Sequence, residues 1–228
     1  MDTRIPAASG EKFRSDEDKK GKSISAALLS RLPQYYICLK DLINRDIMRV
    51  SSRELSKALD ITDSQVRQDL SCIGEYGRQG YGYNVRDLLI GVSDILGIND
   101  EFSAIIIGTD TLAIAIAFDP IFSRHGVLLK GIFDTDRALV GQRVGNTTVY
   151  HLNELSDLLE KEKIDIAVIT TTDGFDPSEL VDSGFFKGIW NFTGRFIERG
   201  ENTLVHNVSL GDSLMTLCCK IKGQKEGR

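Results

Sequence analysis

The chain runs to 228 residues, 41% of them apolar and 27% charged, with a formal net charge of −5; that is enough for two domains and a sizeable core. No run of about 18 apolar residues is present and the N-terminus lacks an apolar signal centre, so neither a membrane span nor a secretory signal is expected. Four cysteines without a C-x-x-C pair and three scattered histidines exclude a disulfide framework and a metal site of the zinc type, and they fit a reducing cytoplasm.

Residues 1–22 mix charges with few apolar side chains and are expected to form a disordered tail. From Lys22 to Asp46, Leu28, Leu29, Leu32, Tyr36, Leu39, Leu42 and Ile43 recur at helical spacing, with Pro33 expected in an early turn. Two short helices follow with successive N-terminal signatures, Ser51-x-x-Glu54 and Thr62-x-x-Gln65. Leu55, Ala58 and Leu59 stripe the first; Val66, Leu70 and Ile73 stripe the second. The turn between them, Asp60-Ile61, has the length found in a helix-turn-helix.

Gly74 is placed to cap the second helix. Beyond it, Gly77, Gly80 and Gly82 alternate with Tyr76, Tyr81 and Tyr83, the pattern of a small β-hairpin, or wing, with Arg78 at its tip. A helix showing Ser64, Gln65, Arg67, Gln68 and Ser71 on its outer face can offer them to base edges and phosphates in a major groove. Helix-turn-helix pairs also occur in proteins that never touch DNA, so a protein-binding module stays open as an alternative. From Lys22 to Gly91 ten Lys+Arg stand against eight Asp+Glu, and from Val92 to Arg228 thirteen against twenty. The basic balance lies with the DNA-reading segment but is too small for a nonspecific polyanion binder. Specificity then requires two copies of the reader on one duplex, hence a homodimer.

Val85 to Leu96 reads as a further helix, and Gly97 to Asp100 as the link between domains. Past that point apolar runs of strand length alternate with helical segments: Phe102–Ile107, a helix from Thr111 to Phe118 stopped by Pro120, Leu128–Phe133, Thr148–Tyr150, a helix over Leu152–Glu160, Ile164–Thr170, a short helix at Ser178–Val181, Gly188–Phe192 and Thr203–Val208. Such alternation means a mostly parallel sheet covered on both faces. From Ser209 to Ile221, Leu210, Leu214, Leu217 and Ile221 recur at helical spacing; Cys218-Cys219 beside them reads as two small apolar residues of that helix rather than a redox pair.

The fold class is thus α/β: a winged helix-turn-helix domain over 23–97, a Rossmann-like parallel-sheet domain over 98–208 and a C-terminal helix over 209–222. A strand, a Gly turn, a helix and a second strand ending in Asp134, 26 residues beyond Gly108, match the first half of a dinucleotide-binding unit. The turn itself reads Gly108-Thr109-Asp110-Thr111-Leu112-Ala113 where G-x-G-x-x-G/A is wanted. Asp110 puts a carboxylate where backbone should approach a pyrophosphate. At about 4 Å that costs on the order of 1–4 kcal/mol per charge pair at effective dielectric constants of about 80 to 20. A working NAD(H) site and a Rossmann scaffold kept only for its shape are both open on these residues. A small dehydrogenase is a poor fit, because the nucleotide-type domain uses up the chain and no Ser/Tyr/Lys set or histidine falls where a hydride-transfer acid is needed.

The order winged helix, linker, nucleotide-type domain, terminal helix, together with Ser30-Arg31-Leu32-Pro33-x-Tyr35-Tyr36, Val50-Ser51-Ser52-x-Glu54-Leu55, Gln65-Val66-Arg67-x-Asp69-Leu70-Ser71, Gly80-x-Gly82-Tyr83-x-Val85 and Lys187-Gly188-Ile189-x-Asn191-Phe192, resembles the Rex family of redox-sensing transcriptional repressors over about Ile24 to Ile221. The resemblance implies a homodimer on a palindromic operator, released from DNA by NADH with NAD+ competing, and a terminal helix exchanged between subunits. It implies DNA contacts from Arg31, Ser52, Ser64, Gln65, Arg67, Gln68, Arg78 and Tyr81, and cofactor contacts from Gly108, Thr109, Asp110, Thr111, Leu112, Ala113 and Asp134.

Departures from the family pattern fall mostly on the sensor: Asp110 and Ala113 for glycines, Asp119 for a tyrosine, Ser209 for an aspartate, and Thr170-Thr171-Thr172 for Thr-Val-Pro. On the DNA side only Gln68 departs, where Lys or Arg is usual. Two variants follow, one in which NADH still lifts repression and one in which a paralogue binds DNA constitutively or answers another ligand.

Overall fold

The computed structural model describes residues 24–74, 77–78 and 81–226; the expected tail at 1–22 lies outside them. The chain divides into two compact units, with the division between Asp100 and Glu101.

In the first unit, Ser25 caps α1 (Ala26–Asn44) by accepting from the Leu28 amide. Pro33 lies well inside this helix and not in its first turn, because the helix begins at the Ser25 cap. Strand β1 (Arg49–Val50) leads into α2 (Ser52–Leu59), where Ser51 and Glu54 form the reciprocal capping box. Asp60 ends α2 in the left-handed region at φ 54°. Thr62 caps α3 (Asp63–Ile73) by accepting from the Gln65 amide, but the Gln65 side chain does not reach back to complete a box; it donates to Asp69 instead.

Strands β2 (Gly77–Arg78) and β3 (Gly82–Asn84) make the hairpin, and β1 joins it as a third strand in the order β1-β3-β2, an addition absent from the sequence reading. Gly82 sits at φ +68°, and a Cβ there would lie 2.8 Å from the Val50 carbonyl oxygen, so glycine lets β1 close onto β3. Asn84 then caps α4 (Val85–Ile95). Leu28, Leu32, Tyr35, Leu39, Leu55, Val66, Leu70 and Leu88 are at most 2% exposed and form one core between α1, α2, α3 and α4. At about 1.5–3 kcal/mol for each fully buried aliphatic side chain, this cluster is the main term holding four short elements together.

The second unit is a sheet built from β4 (Phe102–Ile107), β5 (Val127–Asp134), β6 (Arg143–Val144), β7 (Thr147–His151), β8 (Ile166–Ile169), β9 (Gly188–Asn191) and β10 (Leu204–Asn207). Their order is β10-β9-β8-β4-β5-β7-β6, parallel throughout except for the short edge strand β6 on β7. Helices α5 (Thr111–Phe118), α6 (Ile121–Arg124), α7 (Leu155–Lys161) and α8 (Pro177–Ser183) form the crossovers. Ile105 and Ile107 point into one core with Phe133, Ala167 and Leu180, while Ala104 and Ile106 point into the other with Ala113, Ile132 and Val168. Burial on both faces is why these strands read as unbroken apolar runs.

Among the described residues no helix is long and apolar enough to cross a membrane. The last element, α9 (Leu210–Glu226), leaves Leu210, Leu214, Leu217 and Ile221 between 47% and 70% exposed. Its apolar stripe is therefore not covered by its own chain.

Candidate functional site

Helix α3 turns Ser64, Arg67, Gln68 and Ser71 outward, all exposed, at spacings that place them on one face. Its opposite face buries Val66, Asp69 and Leu70. Asp69 is only 2% exposed, and four hydrogen bonds converge on its carboxylate. Arg31 donates from Nε at 2.8 Å and from Nη2 at 2.6 Å, Tyr35 from its hydroxyl at 3.1 Å and Gln65 from Nε2 at 2.8 Å. Burial alone would push this carboxyl up; the Arg31, Gln65 and Tyr35 bonds outweigh it and hold the group below the usual carboxylate range. The same burial, with the Asp69 charge beside it, pushes the Tyr35 hydroxyl well up.

This network engages two of the residues expected at the DNA: Arg31 fastens α1 to α3 through Asp69, and Gln65 bonds the same carboxylate from within α3. A buried carboxylate requires such partners, and the planar guanidinium meets it with two parallel bonds. A signal was present in the sequence: Asp69 lies three residues after Val66 and four before Ile73, on the apolar side of its helix.

Arg67 donates to Asp63 at 2.6 Å across one turn, with the Arg67 side chain 58% exposed. The Ser52 hydroxyl of α2, and the Arg67 guanidinium, hold the Asp63 carboxyl below its ordinary range. Ser52 is half-buried beside this start of α3. An ion pair this exposed is weak and salt-screened, so Arg67 can exchange Asp63 for a phosphate or a base edge.

On the wing, Tyr81 is 71% exposed. Arg78 is the last ladder residue of β2, opposite Gly82, rather than the tip of the turn, and its side chain lies outside the described residues. Arg49, which sequence reasoning passed over, donates from Nη1 to the Tyr81 carbonyl at 3.1 Å.

In the second unit the strand order reverses between β4 and β8, which opens a crevice at the carboxyl ends of these strands. Gly108 lies there at φ +120°; a Cβ on it would come within 2.2 Å of the Thr170 hydroxyl, so only glycine fits. Thr109 donates to Asp134 Oδ2 at 2.5 Å, and the Asp136 amide donates to Asp134 Oδ1 at 2.9 Å. Asp110 is the N-cap of α5: its Oδ1 accepts from the Ala113 amide at 2.9 Å. Thr111 is exposed, Leu112 half-buried and Ala113 buried under the sheet.

The crevice therefore brings the seven expected residues to one strand-turn-helix and the end of the adjacent strand. Its tight glycine turn at Gly108, its helix N-terminus and its Asp134 fit a dinucleotide; Asp110 occupies one helix-end amide that a phosphate would use.

A winged helix-turn-helix and a parallel-sheet unit with a nucleotide-type crevice, in one chain, define a class of DNA-binding regulators that carry their own ligand-sensing unit. The family described as "Putative DNA-binding protein N-terminus" matches residues 23–71, and the family described as "CoA binding domain" matches residues 99–194. The redox-sensing transcriptional repressor Rex of Clostridium botulinum is 41% identical over 206 residues, 90% of this chain and 98% of the relative. Its counterpart in Clostridium acetobutylicum is 39% identical over 213 residues, 92% and 99% of the two chains.

Among solved structures, RSP, a Rex-family repressor, bound to NAD+ and operator DNA is similar at a TM-score of 0.81 and 36% identity, over 90% of this chain and 95% of that one. RSP with NADH is similar at 0.79 and 34%, over 90% and 97%. The chain belongs to the Rex family of redox-sensing transcriptional repressors. Its relatives are named as repressors, not as enzymes.

Proposed function

We propose that this chain is a repressor that binds a palindromic operator as a homodimer, in the cytoplasm, and that NADH, competing with NAD+, weakens its hold on DNA. The observation that carries the reading is the exposed face of α3, with Ser64, Arg67 and Gln68 presented outward while Asp69 locks the helix from behind. Ser64, Arg67 and Gln68 meet the major groove; Ser52, Tyr81 and Arg78 meet the flanking backbone and minor groove. Arg31 and Gln65 serve this surface by holding it still. Solved relatives with operator DNA and with both forms of the dinucleotide support the pairing of the two activities. The uncovered stripe of α9 is proposed as the contact with a second copy, which supplies the two-fold symmetry a palindrome requires.

The dinucleotide is a signal here and not a reagent. Gly108 makes the tight turn from β4 into α5 against Thr170, the N-terminus of α5 faces the phosphates, and Asp134 meets a ribose hydroxyl by exchanging its bond from Thr109.

One observation favours a second variant, in which the response is blunted: the Asp110 carboxylate already takes the Ala113 amide. The test is selection of a duplex from a random-sequence pool, followed by titration of the complex with NADH and with NAD+. Release by NADH alone supports the first variant. A complex that ignores both supports the second, and no selected sequence sinks the DNA-binding reading itself.

A further inference from the structure

Arg49 lies on β1, two residues before Ser51 of the α2 capping box, and its ladder partner on β3 is Asn84. Its side chain does not stay beside that partner. It reaches three residues along the wing, donating from Nη1 to the Tyr81 carbonyl at 3.1 Å with its guanidinium carbon 6.0 Å from the Tyr81 ring centre, the outer limit of a cation–π contact. One contact fixes the fork at the backbone and the other rests it against the ring, so an exposed arginine is held beside Tyr81, just before β3 of the wing.

Its charge sets it apart from the arginines already described. Arg31 is committed to Asp69, Arg67 to Asp63 and Arg45 to Asp41, whereas no carboxylate lies within ion-pair distance of Arg49 among the described residues. A guanidinium has five N–H donors, and the Tyr81 carbonyl uses one. The rest form a positioned cation, without a countercharge among the described residues, between the start of α2 and the wing, two elements that flank the reading helix in sequence. A brace between β1 and Tyr81 needs one donor and could be neutral.

We propose that Arg49 is a phosphate-binding residue of the DNA interface and that Tyr81 holds its guanidinium ready for the backbone of the duplex. The proposal rests on the DNA-binding reading above and adds a contact that reading does not contain. Because phosphate is the target, Arg49 adds to affinity on any sequence and not to the choice among sequences. Holding the long side chain in place beforehand lowers the ordering cost that an exposed arginine otherwise meets on binding.

The test uses the full chain, a duplex selected by the wild-type protein from a random pool, and an unrelated duplex of equal length. Affinities for both are measured over a range of salt concentrations for wild type, Arg49→Gln and Arg49→Lys. The expected result for Arg49→Gln is a loss of about tenfold on both duplexes alike and a salt slope shallower by about one. Arg49→Lys, which keeps the charge but not the fork, is expected to restore the slope and only part of the affinity. If Arg49→Gln weakens binding or thermal stability while the salt slope stays at the wild-type value, Arg49 merely braces the wing and the proposal is overturned. If its loss falls on the selected duplex alone, it reads bases and the proposal is equally overturned. A wild-type chain that selects no duplex would fail earlier, on the DNA-binding reading, and the two failures are told apart by that first step.

Discussion

The two units each depend on a carboxylate set against a helix, and they treat it in opposite ways. In the first, Asp69 is buried and answered by a cation: Arg31 meets it with two bonds while Tyr35 and Gln65 take the remaining lone pairs. In the second, Asp110 and Asp134 are answered by neutral donors: the Ala113 amide, the Thr109 hydroxyl and the Asp136 amide. The first arrangement is a fastener, since removing either ion strands the other in a low-dielectric site. The second is exchangeable. A phosphate oxygen would compete with Asp110 for the Ala113 amide, and a ribose hydroxyl with Thr109 for the Asp134 carboxylate, so the carboxylates set the cost of admitting a ligand rather than the integrity of the fold.

Breaking the fastener should give the largest effect. Asp69→Ala leaves Arg31 without its anion and frees Tyr35 and Gln65; losing one partner of a fully buried pair costs about 3–5 kcal/mol, and because Arg31 is partly exposed the expected loss lies at the low end, about 3 kcal/mol. Arg31→Lys is expected to recover little, because an ammonium cannot reproduce the two parallel bonds. The sole tryptophan, Trp190, lies on β9 and reports the second unit. In denaturant, Asp69→Ala should therefore lose helical circular dichroism early while the Trp190 transition stays in place. Coincident, unshifted transitions would mean that the network is dispensable.

A smaller effect is expected at the crevice. Asp110→Gly removes both the charge and the acceptor on the Ala113 amide, and calorimetry should find NADH bound tenfold or more tighter, about 1.4 kcal/mol. Glycine is a tolerable N-cap, costing only a few tenths of a kcal/mol against Asp, so stability should barely move. Asp110→Asn separates the two causes. It keeps a capping oxygen and loses the charge: if it matches glycine, repulsion of the pyrophosphate governs the site, and if it matches wild type, occupation of the amide does. No change in either variant would remove Asp110 from the account of NADH binding.

Legibility in the sequence followed the same division. Local devices were readable because they are set by neighbours a few residues apart: the Ser51–Glu54 box, the Gly74 stop and the strand-Gly-helix turn at Gly108 all rest on spacings of that kind. The parallel sheet was readable because burial on both faces leaves unbroken apolar runs. What escaped was decided across the fold. Arg31 lies 38 residues from Asp69, so no local spacing records that the two side chains pair. Edge strand β6 and strand β1 are two residues each, too short for any alternation to register. Asp110 was legible as an intruder in a glycine-rich turn but not as a helix cap, because that role depends on where α5 begins.

The mildest test of the comparison is acid. Asp69 is held below the ordinary carboxylate range when folded, with burial opposing and the Arg31, Gln65 and Tyr35 bonds prevailing. A group whose folded value lies below its unfolded value adds stability that is fully present above the unfolded value, about 3.9 for Asp, and is lost as pH falls through the folded one. The melting temperature of the first unit should thus be level down to about pH 5 and fall below about pH 4. Asp69→Asn, less stable at neutral pH, should show a shallower fall, because the titrating group is gone. Glu54, exposed and held low by Ser51, and Asp63, half-buried and held low by Ser52 with Arg67, titrate in the same window. If Asp69→Asn fell as steeply as wild type, the acid sensitivity would belong to those helix-start carboxylates, and the buried pair would be a fastener that does not feel the proton.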